Sequence, residues 1–343
     1  MSTSVAAASQ PTATGRFAVS RGARSSRLGA VAMVAAVAVL AGWVPYNVSL
    51  GTLSELVGLF VLVILGTAWN LLAGYGGMVS IGQQVFIGAG GYAVVYLASS
   101  AGLPILVAVL AAAVICGALA LCTSFLVFRL VGGYFAIGTW VVAEALKLLT
   151  TQVDALGGGS GLSLTAFRGV TPASRIGTVY WLALGAMVLV VLATYLFMRS
   201  RLGLGLTAIR DDVTAASSLG VDVRRSQRIV YVAASAGAGL AGALVALNGL
   251  RVAPDSNYAV SYSAFMIFVV VIGGLGSIEG PILGAVVFFV LQQQFSQYGT
   301  WYLVALGVVA VAAVLLVPRG LWGLLSGRGR LQLFPVGYRA RAQ

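Results

Sequence analysis

Charge is scarce in this chain. Only 8% of its 343 residues are charged and 60% are hydrophobic, whereas soluble domains carry roughly a quarter charged residues. Histidine is absent, which removes the Ser-His-Asp triad, the His-paired cysteine nucleophile and the usual zinc sites. Lysine occurs once, as Lys147, and Ala143, Glu144, Ala145 and Leu146 precede it. A phosphate-binding loop needs a lysine after its glycines, so the chain is not a P-loop ATPase. The two cysteines, Cys116 and Cys122, share one apolar stretch. Six residues apart on a helix they stand about 9 Å apart along the axis. That is too far for a disulfide, and they read as small apolar fillers. With no histidine and few acids to converge, the composition argues against a membrane enzyme.

Long uncharged runs are abundant instead. Leu56 to Phe128 holds no Asp, Glu, Lys or Arg, and neither do Ile176–Met198, Ile229–Leu250, Ser256–Ile278 or Gly280–Pro318. A helix needs about 20 apolar residues to cross the hydrocarbon core, so the first run is several spans joined by tight turns. The net charge of +12 is nearly all arginine. Its arginines sit in blocks between apolar segments, which encodes membrane topology rather than a nucleic-acid surface.

Spans are expected at about 28–44, 55–74, 80–98, 104–128, 132–151, 178–198, 229–250, 262–275, 281–298 and 301–318. The expected fold is therefore an all-α polytopic transmembrane helix bundle of about ten spans. Residues 1–27 carry Arg16, Arg21, Arg24 and Arg27 without acids and read as a disordered basic cytoplasmic arm. The run 28–44 is either an uncleaved first span or a signal peptide; the arm is long for a signal and no clear small-x-small site follows. Six spans then precede the basic loop 199–228, and four more return the chain to a basic tail at 321–343. The transmembrane body occupies 28–320. With both termini inside, 16 of the 20 basic residues fall on the cytoplasmic side, as the positive-inside rule requires. The segments 80–98 and 262–275 contain glycine and polar residues, and either is a candidate for a broken or re-entrant span.

Several local patterns carry candidate chemistry. Gly237-Ala238-Gly239-Leu240-Ala241-Gly242 fits a dinucleotide-binding pattern, but it lies inside an apolar span with no strand before it. Close helix approach in a bilayer explains it better. In the loop, Leu202, Leu206, Ile209, Val213 and Ala216 fall on one stripe of a single expected helix over 202–219. Gly220 is placed as its C-cap, and Asp211 and Asp212 lie off the stripe. Such a helix lies either on the membrane surface or against a partner. Glu144 and Lys147 are three apart on one helix, either lining a water path or forming a structural pair near the outer end. Asn70, Gln83, Gln84 and Asn248 either bond neighbouring helices or line the path. The clusters Gly74–Gly82 and Gly273–Gly280 resemble each other weakly, and both lie between an inward-running and an outward-running span. Interrupted helices at matching places point to a transport path; tight turns are the other reading.

Gly74-Tyr75-Gly76-Gly77-Met78-Val79-Ser80-Ile81-Gly82-Gln83, with Phe86 and Gly90-Gly91-Tyr92, resembles the "GYxGxxSxGxxxFxGxGAY" signature of the branched-chain amino acid ABC permeases. Tyr134-Phe135-Ala136-Ile137 with Ala143, Glu144 and Lys147 is similar to their next element. Gly158-Gly159-Ser160-Gly161-Leu162 resembles their outer segment. Ser200–Gly203, Ala208–Asp212, Ala215, Ala216, Leu219 and Gly220 look like their cytoplasmic loop, although Thr214 stands where the general permease motif has Glu. Gly273–Ser277 with Gly280, Pro281 and Gly284 completes a series running in order over about residues 55–320.

The resemblance implies a bacterial cytoplasmic-membrane importer. Two permease chains would pair with two cytosolic ATPases, which alone bind ATP, and an outer binding protein would deliver solute near 152–177 and 251–261. Arg210, Asp211, Asp212, Ala215, Ala216 and Gly220 would then couple to the ATPase. The path would pass Gly74, Tyr75, Gly77, Ser80, Gly82, Gln83, Glu144, Lys147, Gly273, Gly274, Gly276 and Gly280. Relatives in the same fold family move urea, other amides or sugars. A stand-alone channel or secondary transporter is the rival reading.

Overall fold

A computed structural model describes residues 17–20, 24–295, 301–317, 320–326, 334 and 339–342. Its helices are α1 (Arg24–Gly42), α2 (Val44–Asn47), α3 (Leu50–Trp69), α4 (Gln84–Ser99), α5 (Ile105–Val127), α6 (Gly133–Thr151), α7 (Pro172–Met198), α8 (Arg201–Asp211), α9 (Val213–Ser218), α10 (Val223–Gly249), α11 (Pro254–Asn257), α12 (Ser261–Gly273), α13 (Glu279–Phe295), α14 (Trp301–Leu316) and α15 (Gly320–Leu325). Each expected apolar run coincides with one of these. By length and composition, residues 50–75, 105–127, 172–198, 223–249 and 254–273 are long and apolar enough to cross a membrane. The chain is an all-α polytopic membrane protein.

Capping chemistry sets many boundaries. Ser49 caps α3 by accepting from the Thr52 amide at 3.2 Å, and Thr171 caps α7 ahead of Pro172. Asp222 caps α10 through the Arg225 amide at 3.0 Å. Each satisfies a first-turn N–H that has no partner within its helix.

Around α3 lie α7, α10, α12 and α13, while α10 also packs on α4 and α5. The α4–α10 crossing is backbone on backbone. A Cβ at Gly90 would lie 2.1 Å from the Gly239 carbonyl oxygen, and one at Gly242 would lie 2.0 Å from that of Ile87. The glycines that mimic a dinucleotide motif are therefore a packing seam. Helix α5 turns Ala108, Ala112, Cys116, Ala120 and Ser124 inward, and Leu106, Leu110, Val114, Leu121 and Phe125 outward. Both cysteines are free, Cys116 buried and Cys122 exposed.

Two antiparallel strand pairs tie distant segments. Leu162–Ser163 (β2) pairs with Arg251–Val252 (β3), and Arg251 Nη2 donates to the Ser160 carbonyl at 3.0 Å. Segments 152–177 and 251–261, both expected on the outer side, are thus joined. Phe17–Ser20 (β1) pairs with Arg339–Ala342 (β4), bringing the two basic ends of the chain together. Most of the N-terminal arm, residues 1–16, lies outside the described residues.

The expected single helix over 202–219 is corrected to two. At Asp212 the backbone turns extended, with φ −155° and ψ 113°. Its carboxylate accepts from the Thr214 and Ala215 amides at 2.7 and 2.9 Å, so the side chain ends α8 and caps α9. Leu206, Ile209 and Ala216 are buried as the stripe requires, whereas Leu202 and Val213 are exposed. Gly220, at φ +83°, follows α9, and the Val221 amide reaches back to the Ala216 carbonyl at 3.1 Å. That is the left-handed cap expected of glycine there.

Candidate translocation cavity and coupling junction

The two glycine clusters meet. Beyond Trp69, α3 continues as a π-helical turn over Asn70–Tyr75 and then loses helical form until α4 begins at Gln84. Chain α12 stops at Gly273, and α13 starts only at Glu279. Helix α12 itself has 13 residues, about 20 Å, and reaches a membrane-crossing length only together with the α11 segment before it. Non-helical backbone completes these spans, which a membrane tolerates only where protein or a cavity surrounds it. The expected spans 80–98 and 262–275 each include non-helical residues at the cluster end, 80–83 and 274–275.

Asn70 bridges the interruption. Its Nδ2 donates to the Ser277 carbonyl at 2.7 Å, and its Oδ1 accepts from the Gly276 amide at 2.8 Å. Gly74 lies so close that a Cβ there would sit 2.8 Å from the Gly276 nitrogen. From the loop, Arg210 Nη1 donates to the Gly74 carbonyl at 2.7 Å and stands 2.6 Å from where a Gly276 Cβ would be. The last residue-turn of α8 is thereby fastened to the carbonyl end of the α3 extension, where a cation is favoured. Gly276, at φ +76°, and Gly77, at φ +67° with Arg210 behind it, need the left-handed region. A Cβ at Gly273 would lie 1.9 Å from the Gly280 oxygen, and Gly274 touches the backbone of Gly320. Tyr75 is buried beside this knot.

Nearby, a Cβ at Gly82 would lie 2.0 Å from the Thr139 oxygen, and the Gly82 amide donates to Thr139 Oγ1 at 3.3 Å. Ser80 and Gln83 are buried, and neither Ser80 Oγ nor Gln83 Nε2 has a protein partner among the described residues. Gln84 accepts from Ser263 Oγ, joining α4 to α12.

At the opposite end of the same helices opens a cavity of about 620 Å³ between α3, α10, α12 and α13. This is within the range of about 300–1,000 Å³ typical of small-molecule sites. One face of α3 contributes Ser54, Glu55, Gly58, Leu62 and Leu65, at steps close to one helical turn. Asn248, Tyr262, Phe265, Phe289 and Gln292 close the other sides. The mouth is polar and the deeper wall apolar. Below it, Gly66 presses against Val269 and Pro281, where a Cβ would come within 2.6 Å.

Sequence patterns singled out Asn248 but missed the rest of this cavity, because its polar residues are dispersed over four helices. Glu144 and Lys147 do not line it. Lys147 Nζ lies 3.7 Å from Glu144 and 3.0 Å from Asp255, so the pair staples α6 to α11. Glu279 was also missed; it is buried at the head of α13 and accepts from the Phe334 amide at 2.8 Å. On the loop, Asp211, Ala215, Gly220 and Leu219 are exposed, Leu219 at 82%. Ala216 is buried and Asp212 is occupied as a cap.

Comparison with known proteins gives one family throughout. A model described as "Branched-chain amino acid transport system / permease component" matches residues 51–318. The high-affinity branched-chain amino acid transport system permease protein LivM of Escherichia coli K12 is 28% identical over 315 residues, covering 84% of this chain and 74% of that protein. The LivH permease protein of Salmonella typhimurium is 32% identical over 138 residues, 39% of this chain and 44% of its own. No solved structure matches.

Proposed function

The chain belongs to the branched-chain amino acid transport system permease family, and from that premise we propose that it is the membrane-spanning subunit of an ATP-driven importer of branched-chain amino acids. ATP is bound and hydrolysed on separate cytosolic subunits, a second permease chain completes the pore, and an outer binding protein delivers the solute. The chain sits in a bacterial cytoplasmic membrane with about ten spans and both termini inside. Arginine placement and the β1–β4 pairing support that orientation.

In this orientation the Glu55 end faces outward and the Arg210 end faces the cytosol. The cavity is then an outer vestibule, closed toward the cytosol by the glycine knot. Solute released at the β2–β3 surface enters between α3, α10, α12 and α13. The observation that carries the reading is the Arg210 bond to Gly74. It runs from the loop helices, whose exposed Asp211, Ala215, Leu219 and Gly220 suit an ATPase surface, to the segment that closes the path. When the ATPases approach each other they displace α8 and α9. Arg210 moves with them, the Gly74–Gly276 contact changes, and access alternates between the two sides. Buried polar atoms at Ser80 and Gln83 that have no protein partner among the described residues support a path beside this knot.

The test is purification of the tagged chain in mild detergent, followed by reconstitution with its binding protein. Recovery with an ATPase and a second permease, and leucine, isoleucine or valine uptake that requires ATP, is expected. Recovery of the chain alone with ATP-independent flux would overturn the importer reading in favour of a channel. ATP-dependent uptake of urea, an amide or a sugar instead would keep the importer and replace its cargo.

A further inference from the structure

Three acids lie toward the outer end of the described helices around the cavity and its neighbour α6: Glu55, Glu144 and Asp255. Lys147 neutralises the last two. Glu55 is different. It lies in α3, lines the mouth of the cavity and has no hydrogen bond or ion pair among the described residues. No other charged side chain among those residues lines the cavity. The neighbouring polar groups are already engaged with each other. Ser54 Oγ donates to Asn248 Oδ1 at 3.0 Å, and Asn248 Nδ2 lies 3.4 Å from the Ser54 carbonyl. Glu55 is exposed to water in the second turn of α3, so it keeps its charge while facing the mouth.

We infer that Glu55 reads the ammonium group of the transported solute, while Leu62, Leu65 and Phe265 take its hydrocarbon part. The inference rests on the importer reading above and deepens it. The site offers one acceptor for the solute's ammonium beside an apolar wall for a short branched side chain; with no cation among the described lining residues, the solute's carboxylate stays on the open, water-filled side of the mouth. Among the described residues no cation faces Glu55 across the cavity, so the charge the wall contributes is a single acceptor for a positive group. Passage requires that the contact be strong enough to draw the solute from the binding protein and weak enough to release it. A lone carboxylate in a wet mouth, where charge pairs are worth little, meets both conditions better than a closed cage.

The experiment compares wild-type, Glu55→Gln and Glu55→Asp complexes in proteoliposomes, with saturating leucine-loaded binding protein. Loss of one exposed charged contact should lower uptake up to about five-fold in Glu55→Gln. Glu55→Asp, which keeps the charge, should stay near wild type. Melting temperature and association of the binding protein should be unchanged in both. Wild-type uptake by Glu55→Gln would overturn the inference. So would equal loss in Glu55→Asp, which would assign the effect to shape. Lost association of the binding protein would overturn it too, since Glu55 would then be a docking residue. Absence of amino acid uptake by the wild-type complex itself would instead remove the importer reading on which the inference stands.

Discussion

Two regions of this chain are equally rich in glycine and use it in opposite ways. In the α4–α10 crossing, Gly90, Gly239 and Gly242 keep regular helical backbone, and their missing side chains let two helices touch through main-chain atoms. In the knot of Gly74, Gly77, Gly273, Gly274 and Gly276, several glycines leave helical geometry altogether, and polar side chains from elsewhere complete their hydrogen bonds. The seam satisfies its polar groups internally, so it has one arrangement. The knot borrows partners from Asn70 and Arg210, so under the proposed mechanism it would change when they move. Composition is shared; the source of the hydrogen bonds differs.

The comparison is broken most severely at the seam. Gly242→Leu forces a side chain into the Ile87 carbonyl, where only backbone could yield. A loss of about 3 kcal/mol or more is expected, since overpacking costs 1–3 kcal/mol even where side chains adjust. The measurement is membrane-inserted yield and melting temperature, and a variant as stable as wild type would remove the rigid-seam account. A smaller and different effect is expected at the knot. Arg210→Ala leaves the bundle packed, because the side chain is partly exposed. Its melting point should move little, since a typical hydrogen bond contributes about 1 kcal/mol. Uptake per ATP hydrolysed should fall at least about ten-fold, and retained coupling would show that Arg210 is only a strut. The smallest effect sharpens the contrast from outside both regions. Gly185 in α7 has open space where a Cβ would go. Gly185→Ala should be neutral or stabilising by up to about 1 kcal/mol, as read from melting temperature, with unchanged uptake.

Much of this was legible in the sequence. Helical periods and uncharged runs locate the apolar helices, because their faces must be buried in protein or lipid. The knot was legible as two clusters, since glycine at φ above zero leaves a compositional trace. The bond from Arg210 to Gly74 was not, because 136 residues separate the partners and a lone arginine in a basic loop looks like any other. The split at Asp212 was hidden for a related reason. A continuous apolar stripe favours one helix, while a single carboxylate turned back on its own backbone is decided by competition over a few tenths of an ångström. Pairing of Lys147 with Asp255 lay beyond any local pattern, whereas its pairing with Glu144 followed from spacing alone.

Helix α5 carries a lesson of its own. Its inward face is mostly small, Ala108, Ala112, Cys116, Gly117, Ala120 and Ser124 with Val109 and Val127, and its outward face carries leucine, valine, isoleucine and phenylalanine. A polarity scale sees nearly the same apolar character on every side, yet the helix is strongly two-faced in bulk. Its rotation about its axis is therefore written in volume, with the narrow side seated against α10 and the wide side left for the surrounding chains of lipid or protein. On such a helix the conservative exchange is the damaging one: at the fully buried Ala112 an added methyl group, which a hydropathy table scores as an improvement, must displace packed neighbours.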